Sequence, residues 1–77
     1  MGLSDLPDAS GLEHKKTVEK FGWVVRREAE HIIMTHPNRE NCMISIPNHK
    51  VVKRSTLKAI LRVAQIPDKV YRLFFDS

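Results

Sequence analysis

Two short stretches of largely apolar residues lie in the middle of the chain, at residues 30–36 and 42–47. Both are rich in β-branched and long apolar side chains, which favour strands. Residues 37–41, Pro-Asn-Arg-Glu-Asn, separate them and indicate a turn, because Pro fixes φ and Asn tolerates unusual backbone angles. Strand periodicity then predicts two faces for the first stretch, namely Ile32, Met34 and His36 on one and His31, Ile33 and Thr35 on the other.

A polar helix is predicted before these strands, over about residues 11–20. Ser10 is a suitable N-cap and Gly22 a suitable terminator. The helix has few apolar residues, so it must be stabilised by docking on a sheet. We expect His14, in its middle, to be solvated or half-buried. A short strand follows at residues 23–27, and residues 28–30 connect it to the next strand.

The second helix has the strongest pattern in the chain. Ser55 or Thr56 is expected to cap it. One apolar stripe in the second helix follows i, i+3, i+4 and i+7 spacing, and it consists of Leu57, Ile60, Leu61 and Ala64.

A last short helix is predicted over residues 69–75, capped by Asp68. Packing candidates in the last helix are Val70, Tyr71, Leu73 and Phe74.

This order of elements predicts an α+β fold in one small domain. Short links make the three strands an antiparallel sheet, and two helices should cover its apolar face, giving α-β-β-β-α plus a short C-terminal helix. Residues 10–77 form the domain, and residues 1–9 are expected to be a flexible tail. The N-terminus has neither the basic nor the apolar region of a signal peptide, and no stretch of the 77 residues is long and apolar enough to span a membrane.

The charge distribution points to a polyanionic partner. The net charge is +4, and residues 41–67 contain five Lys or Arg but no Asp or Glu. These cations, in a loop and on the following helix, are Lys50, Lys53, Arg54, Lys58 and Arg62. A loop of cations that leads into a helix N-terminus is suited to phosphate, so nucleic-acid binding through the phosphate backbone is predicted. The competing interpretation is a solvated helix face.

Histidines are the candidate catalytic residues. Imidazole titrates near neutral pH, which suits proton transfer on a bound phosphodiester. His31 and His36 should lie on opposite strand faces, so a shared metal ion is not expected, and the roles of His36 and His49 are left open. The single cysteine, Cys42, cannot form an internal disulfide, which fits a reducing compartment; we interpret it as a small apolar strand residue.

Several motifs, in their order and spacing, resemble the HicA (YcfA-like) toxins over about residues 10–75. They are Phe21-Gly22-Trp23, Val25-Arg26, His31-Ile32-Ile33, His36-Pro37, Ile44-Ser45-Ile46-Pro47, His49-Lys50, Thr56-Leu57-Lys58-Ala59-Ile60-Leu61-Arg62 and Ala64. That family has a double-stranded-RNA-binding-domain-like fold, in agreement with the predicted order. The resemblance implies a cytoplasmic, ribosome-independent mRNA interferase of a type II toxin–antitoxin system, paired with a HicB antitoxin.

The resemblance also implies that His31 is the catalytic histidine, acting without metal or other cofactor. The family usually has Gly-Ser before this histidine, whereas this chain has Ala29-Glu30. Glu30 and His31 are sequence neighbours, so their side chains are expected to point to opposite faces of a strand unless a bulge or the turn alters this. The alternative function is a non-catalytic RNA-binding module of the same fold, because a basic helix is sufficient to hold double-stranded RNA by shape and backbone.

Overall fold

Three antiparallel strands form one sheet in the computed structural model, which describes residues 6–77. The strands lie in the order β1-β2-β3, and they are β1 (Val24–Glu28), β2 (His31–His36) and β3 (Arg39–Pro47). The helices are α1 (Gly11–Glu19), α2 (Arg54–Ala64) and α3 (Asp68–Asp76). The predicted α+β fold, α-β-β-β-α with an additional C-terminal helix, is confirmed. Within residues 6–77, no helix is long and apolar enough to cross a membrane.

The strands bury one face, as their alternation predicts. Ile32 and Met34 of β2 are fully buried and pair with Ile46 and Ile44 of β3. The predicted apolar stripe of α2 is buried, and it packs over this face together with α1. The opposite face, which includes His31, Thr35, Met43 and Ser45, remains uncovered. Its exposure follows from the period-two geometry of the strands.

Helix α1 is capped at its N-terminus as predicted, but its His14 is buried rather than solvated or half-buried. The Ser10 hydroxyl accepts from the Glu13 amide and the Glu13 carboxylate accepts from the Ser10 amide, which is a capping box. His14 has no exposed surface, and its Nδ1 lies 2.6 Å from the Tyr71 hydroxyl of α3. The prediction of a solvated or half-buried His14 was therefore wrong, because α3 covers this side of α1.

The last part of the predicted flexible tail is packed against the domain. Leu6 is completely buried and Ala9 is 6% exposed. The Ala9 carbonyl accepts from the Val52 amide at 2.9 Å, and Asp8 forms an ion pair with Arg54. The tail prediction was therefore wrong for residues 6–9, since buried apolar side chains, a backbone hydrogen bond and an ion pair hold this segment against the domain. Residues 1–5 lie outside the described part of the chain.

Several element boundaries and caps differ from those predicted. The turn between β2 and β3 is shorter, because Asn41 adopts φ of 59° and allows an irregularity in β3, which already begins at Arg39. Helix α2 begins at Arg54, so its N-cap is Lys53 rather than Ser55 or Thr56, and no side chain caps it. Helix α3 likewise has Pro67 rather than Asp68 at its N-cap.

Candidate functional site

His31 is the first residue of β2 and is exposed on the uncovered face of the sheet. The backbone around it is held at several points. Its partner across the β2–β3 ladder is Pro47. Asn48 then donates from its backbone to the Glu30 carbonyl and from its side chain to the Ala29 carbonyl, both at 2.9 Å. These bonds fix the turn that leads into His31, so the imidazole projects from a well-anchored backbone.

An irregularity in β1 brings an arginine to the same face. The register of β1 against β2 shifts between Val25 and Arg27, so that Arg27 lies opposite Ile33. Residues paired across a ladder share a face of the sheet, and Ile33 shares its face with His31. On the other side of Ile33, its partner in β3 is Ser45. A cation, a hydroxyl and an imidazole therefore surround one half-buried apolar side chain.

These side chains line an open depression of about 520 Å³ on the uncovered face. Its lining residues are Arg27, Ala29, Glu30, His31, Ile33 and Ser45. Glu30 belongs to the connection between β1 and β2, not to the strand, so it reaches the depression together with His31. Both residues therefore line the same depression, with Glu30 in the turn, where strand alternation does not apply. The neighbouring carboxylate of Glu28 is on the helix side, where it pairs with Lys15 at 2.8 Å.

The other histidines have different surroundings. His36 Nδ1 accepts from the Asn38 amide at 3.1 Å, so Nε2 carries the proton and donates to the Phe21 carbonyl at 3.1 Å. The His36 ring connects the end of β2 to the turn after α1. His14 is buried, and burial lowers its pKa to about 4. His49 is exposed in the loop after β3, and its backbone carbonyl accepts from the amide of Gly11.

The five cations predicted to bind RNA fall into two groups, one in the loop after β3 and one on α2. Lys50 and Lys53 are exposed in the loop that follows β3, at the His31 end of the sheet. Arg54 pairs with Asp8 and Lys58 with Asp68, which turns this flank of α2 toward the N-terminal segment and α3. Arg62 is exposed. Because α2 covers the opposite face of the sheet, the helix cations and His31 belong to different surfaces.

Arg27 is the site residue that the sequence did not predict. The excess of cations in residues 41–67 drew attention to the loop and α2, whereas Arg27 stands beside Glu28 in a segment of mixed charge. Counting alternate residues from Val24 would also have given it the wrong face, because the irregularity in β1 changes the parity. The Arg26-Arg27 pair on a short strand was the available signal.

Over residues 6–77, no three His, Cys, Asp or Glu side chains are grouped as metal ligands would be. His31, Arg27 and Ser45 instead offer one titratable ring, one fixed positive charge and one hydroxyl. Such a set can bind a phosphate group and move a proton.

Comparison with known proteins gives the family. The chain matches the model of a family described as the HicA toxin of bacterial toxin–antitoxin systems, over residues 12–66. No curated protein and no solved structure matched the chain. The matched region includes every strand, α2, and all of α1 except its first residue, and it contains His31 and the depression around it. The chain therefore belongs to the HicA toxin family.

Proposed function

We propose that this protein is the toxin of a type II toxin–antitoxin system and that it cleaves mRNA with His31 as its catalytic residue. The observation that carries the proposal is the position of His31 in a HicA-family chain. It is an exposed imidazole on an anchored strand end, and it lines a depression that a nucleotide can enter. Such a combination of exposure and fixed backbone is what an acid–base catalyst requires.

The proposed reaction is attack of a ribose 2′-hydroxyl on the adjacent phosphorus. The new O2′–P bond forms while the P–O5′ bond breaks, which leaves a 2′,3′-cyclic phosphate and a 5′-hydroxyl. One proton leaves the 2′-hydroxyl and one is delivered to O5′. His31 performs one of these transfers, and water performs the other. Imidazole is suited to either role, because both of its forms are accessible near neutral pH.

Binding of the RNA backbone is assigned to the five cations predicted from the sequence. Lys50 and Lys53 follow Pro47, the β3 partner of His31, so they would contact phosphates close to the cleaved bond. Arg54, Lys58 and Arg62 would contact phosphates where the RNA continues around the edge of the domain onto α2. The ion pairs of Arg54 and Lys58 reduce what these two residues can contribute.

Toxins of such systems are paired with an antitoxin, and for this chain we propose a HicB-like protein. A free nuclease of cellular mRNA would arrest growth in the cytoplasm, so its activity must be blocked until it is needed. The proposal therefore predicts that a reading frame for the antitoxin lies beside that of the toxin and that co-expression restores growth.

Inducible expression of the wild-type chain, His31→Ala and His49→Ala tests the proposal. His49 is a matched control, because it is also an exposed histidine but does not line the depression. Wild type and His49→Ala should stop growth and fragment RNA, and His31→Ala should do neither. With purified protein, His31→Ala should cleave a defined RNA about 10²- to 10⁴-fold more slowly while binding it normally.

Two results would contradict the proposal. Cleavage by His31→Ala at the wild-type rate would remove this residue from the mechanism. RNA binding by wild type without any cleavage or growth arrest would instead identify the chain as a non-catalytic RNA-binding module.

A further inference from the structure

We propose that Arg27 binds the phosphate that is cleaved and stabilises its negative charge during the reaction. This inference rests on the proposed function, because it assigns a second residue to the same site. Arg27 lies in β1, outside the basic loop and α2. Its side of the sheet is the one that faces away from α2, which carries Arg62. The substrate group that Arg27 would recognise is a single phosphodiester.

The geometry of the sheet directs Arg27 to His31. Arg27 is opposite Ile33, and His31 is two residues before Ile33 on the same face. Such diagonal neighbours have Cα atoms about 7–8 Å apart, which long side chains readily bridge. Both residues line the same depression, and Ile33 forms its apolar floor between them. A phosphate beside the imidazole is therefore within reach of the guanidinium.

The charge of Arg27 is also available. The ion pairs found within residues 6–77 are Lys15–Glu28, Arg54–Asp8, Lys58–Asp68 and Arg72–Asp76. Arg27 is thus not engaged by a carboxylate of the described residues, although Glu28 is its direct sequence neighbour. Glu28 points to the helix side and is bound by Lys15. Arg27 itself is exposed to solvent, so a ligand does not have to displace a buried contact.

Arginine is chemically suited to this role. Its planar guanidinium can donate two parallel hydrogen bonds to the non-bridging oxygens of a phosphodiester. Negative charge on these oxygens increases as the 2′-oxygen attacks, so a fixed cation stabilises the transition state more than the bound substrate. Arg27 exchanges no proton in this scheme. It would be a catalytic residue by direct contact with the reacting phosphate.

Binding of an uncleavable analogue tests the assignment independently of catalysis. The probe is a single-stranded DNA oligonucleotide with the sequence of the RNA substrate, which lacks the attacking 2′-hydroxyl. Its affinity would be measured against salt concentration for wild type, Arg27→Ala, Arg27→Lys and Arg72→Ala. Arg72 is the matched control, because it is an exposed arginine on α3, paired with Asp76 and distant from the sheet. Thermal unfolding of each variant verifies that the fold is retained.

Arg27→Ala should weaken binding and lower the salt slope by about 0.7, the value for one phosphate contact on a single strand. Arg72→Ala should leave the affinity and the salt slope nearly unchanged. Arg27→Lys should have the salt slope of wild type, because it keeps the positive charge. With the RNA itself, Arg27→Ala should reduce kcat about 10²-fold. Arg27→Lys should recover only part of this rate, since an ammonium lacks the paired donors.

The two proposals fail in different ways. If wild type cleaves no RNA, the proposed function is wrong, and the DNA measurement still decides whether Arg27 holds a phosphate. If wild type cleaves RNA but Arg27→Ala matches Arg72→Ala in slope and rate, the assignment of Arg27 is overturned and the function of His31 stands.

Discussion

His14 and Tyr71 are in direct contact between α1 and α3, with 2.6 Å separating Nδ1 from the phenolic oxygen. Both side chains are fully buried. Within residues 6–77, the second ring nitrogen of His14 has no hydrogen-bond partner. A protonated imidazole would need a partner at both nitrogens, so the pair accommodates His14 only as a neutral ring. The contact joins the first and last helices of the domain.

Stability should therefore fall with decreasing pH. Burial lowers the pKa of His14 from its ordinary value of 6.5 to about 4, so the unfolded chain binds this proton more readily than the folded chain. The free energy of unfolding should decrease by about 3 kcal/mol as the pH falls through this window. Chemical denaturation at several pH values measures the effect.

His14→Gln is the control for this titration, because it retains a polar group beside Tyr71 but cannot bind a proton. Its stability should change less between pH 6.5 and 4 than that of wild type. Equal pH dependence in the two proteins would show that carboxylates, and not His14, are responsible.

Leu6 should contribute strongly to stability even though it lies close to the N-terminus. Its side chain is completely buried, so Leu6→Ala leaves a cavity and should cost about 2–5 kcal/mol. Leu12→Ala is the matched control, since Leu12 is 42% exposed and should lose much less. Urea denaturation of both variants compares them. A smaller loss at position 6 than at position 12 would contradict the packing described for this segment.

Gly11→Ala should destabilise the protein, although alanine normally favours a helix by about 1 kcal/mol over glycine. A Cβ atom at Gly11 would overlap the backbone carbonyl of Pro47, and the Gly11 amide donates to the His49 carbonyl at 2.9 Å. Because the obstacle is backbone, either the helix or the loop must move, at a cost of about 1–3 kcal/mol. A raised midpoint of thermal unfolding would contradict this prediction.

The cations of α2 should differ in their contribution to RNA binding. Arg62 is exposed, and Arg62→Ala should lower the salt slope by about 0.7. Lys58 is already paired with Asp68, so Lys58→Ala should lower the slope less. Titration of one RNA at several salt concentrations measures both. If neither slope changes, this stripe is only a solvated helix face.

Glu30→Ser should increase RNA affinity and cleavage modestly. Glu30 is among the residues that line the depression with His31, and its negative charge should repel phosphate, but its exposure limits the effect on binding to well below about 1 kcal/mol. Serine is also the residue that the family usually has before this histidine. Cleavage of a defined RNA by both proteins decides the sign. A large fall in rate would mean that Glu30 takes part in catalysis by orienting or protonating the imidazole.

The sequence predicted the parts of the fold that depend on local periodicity. Strand periodicity placed Ile32 and Met34 together on one face, which is the buried one, and helical spacing identified the apolar stripe of α2, which is also buried. The sequence analysis was wrong where two polar side chains that are far apart in the chain form a buried hydrogen bond. His14 and Tyr71 are separated by 57 positions, and nothing in the polar sequence of α1 shows that α3 covers it. The burial of Leu6 was not predicted, because a single apolar residue in a polar segment forms no periodic pattern.

The candidate site was predicted in the same uneven way. His31 was predicted from the resemblance of the chain to the HicA family. The structure shows that His31 is exposed and which residues line the depression with it. Arg27 depends on an irregularity in the register of β1, which is set by pairing with β2 and cannot be read from the order of residues in β1. Glu30 lies in the connection between β1 and β2, where strand alternation does not apply, and it is one of the residues that line the depression.

The loop after β3 has no regular secondary structure, yet its backbone is fixed on several sides. Asn48 holds the turn before His31, the His49 carbonyl binds the start of α1, and Val52 is buried and donates to Ala9. Lys50 and Lys53 are therefore carried by a backbone that is already ordered before any ligand arrives. Ordering a flexible loop on binding costs conformational entropy, and here most of that cost has been met during folding. A polyanion that binds this loop should do so with little unfavourable entropy from the protein backbone.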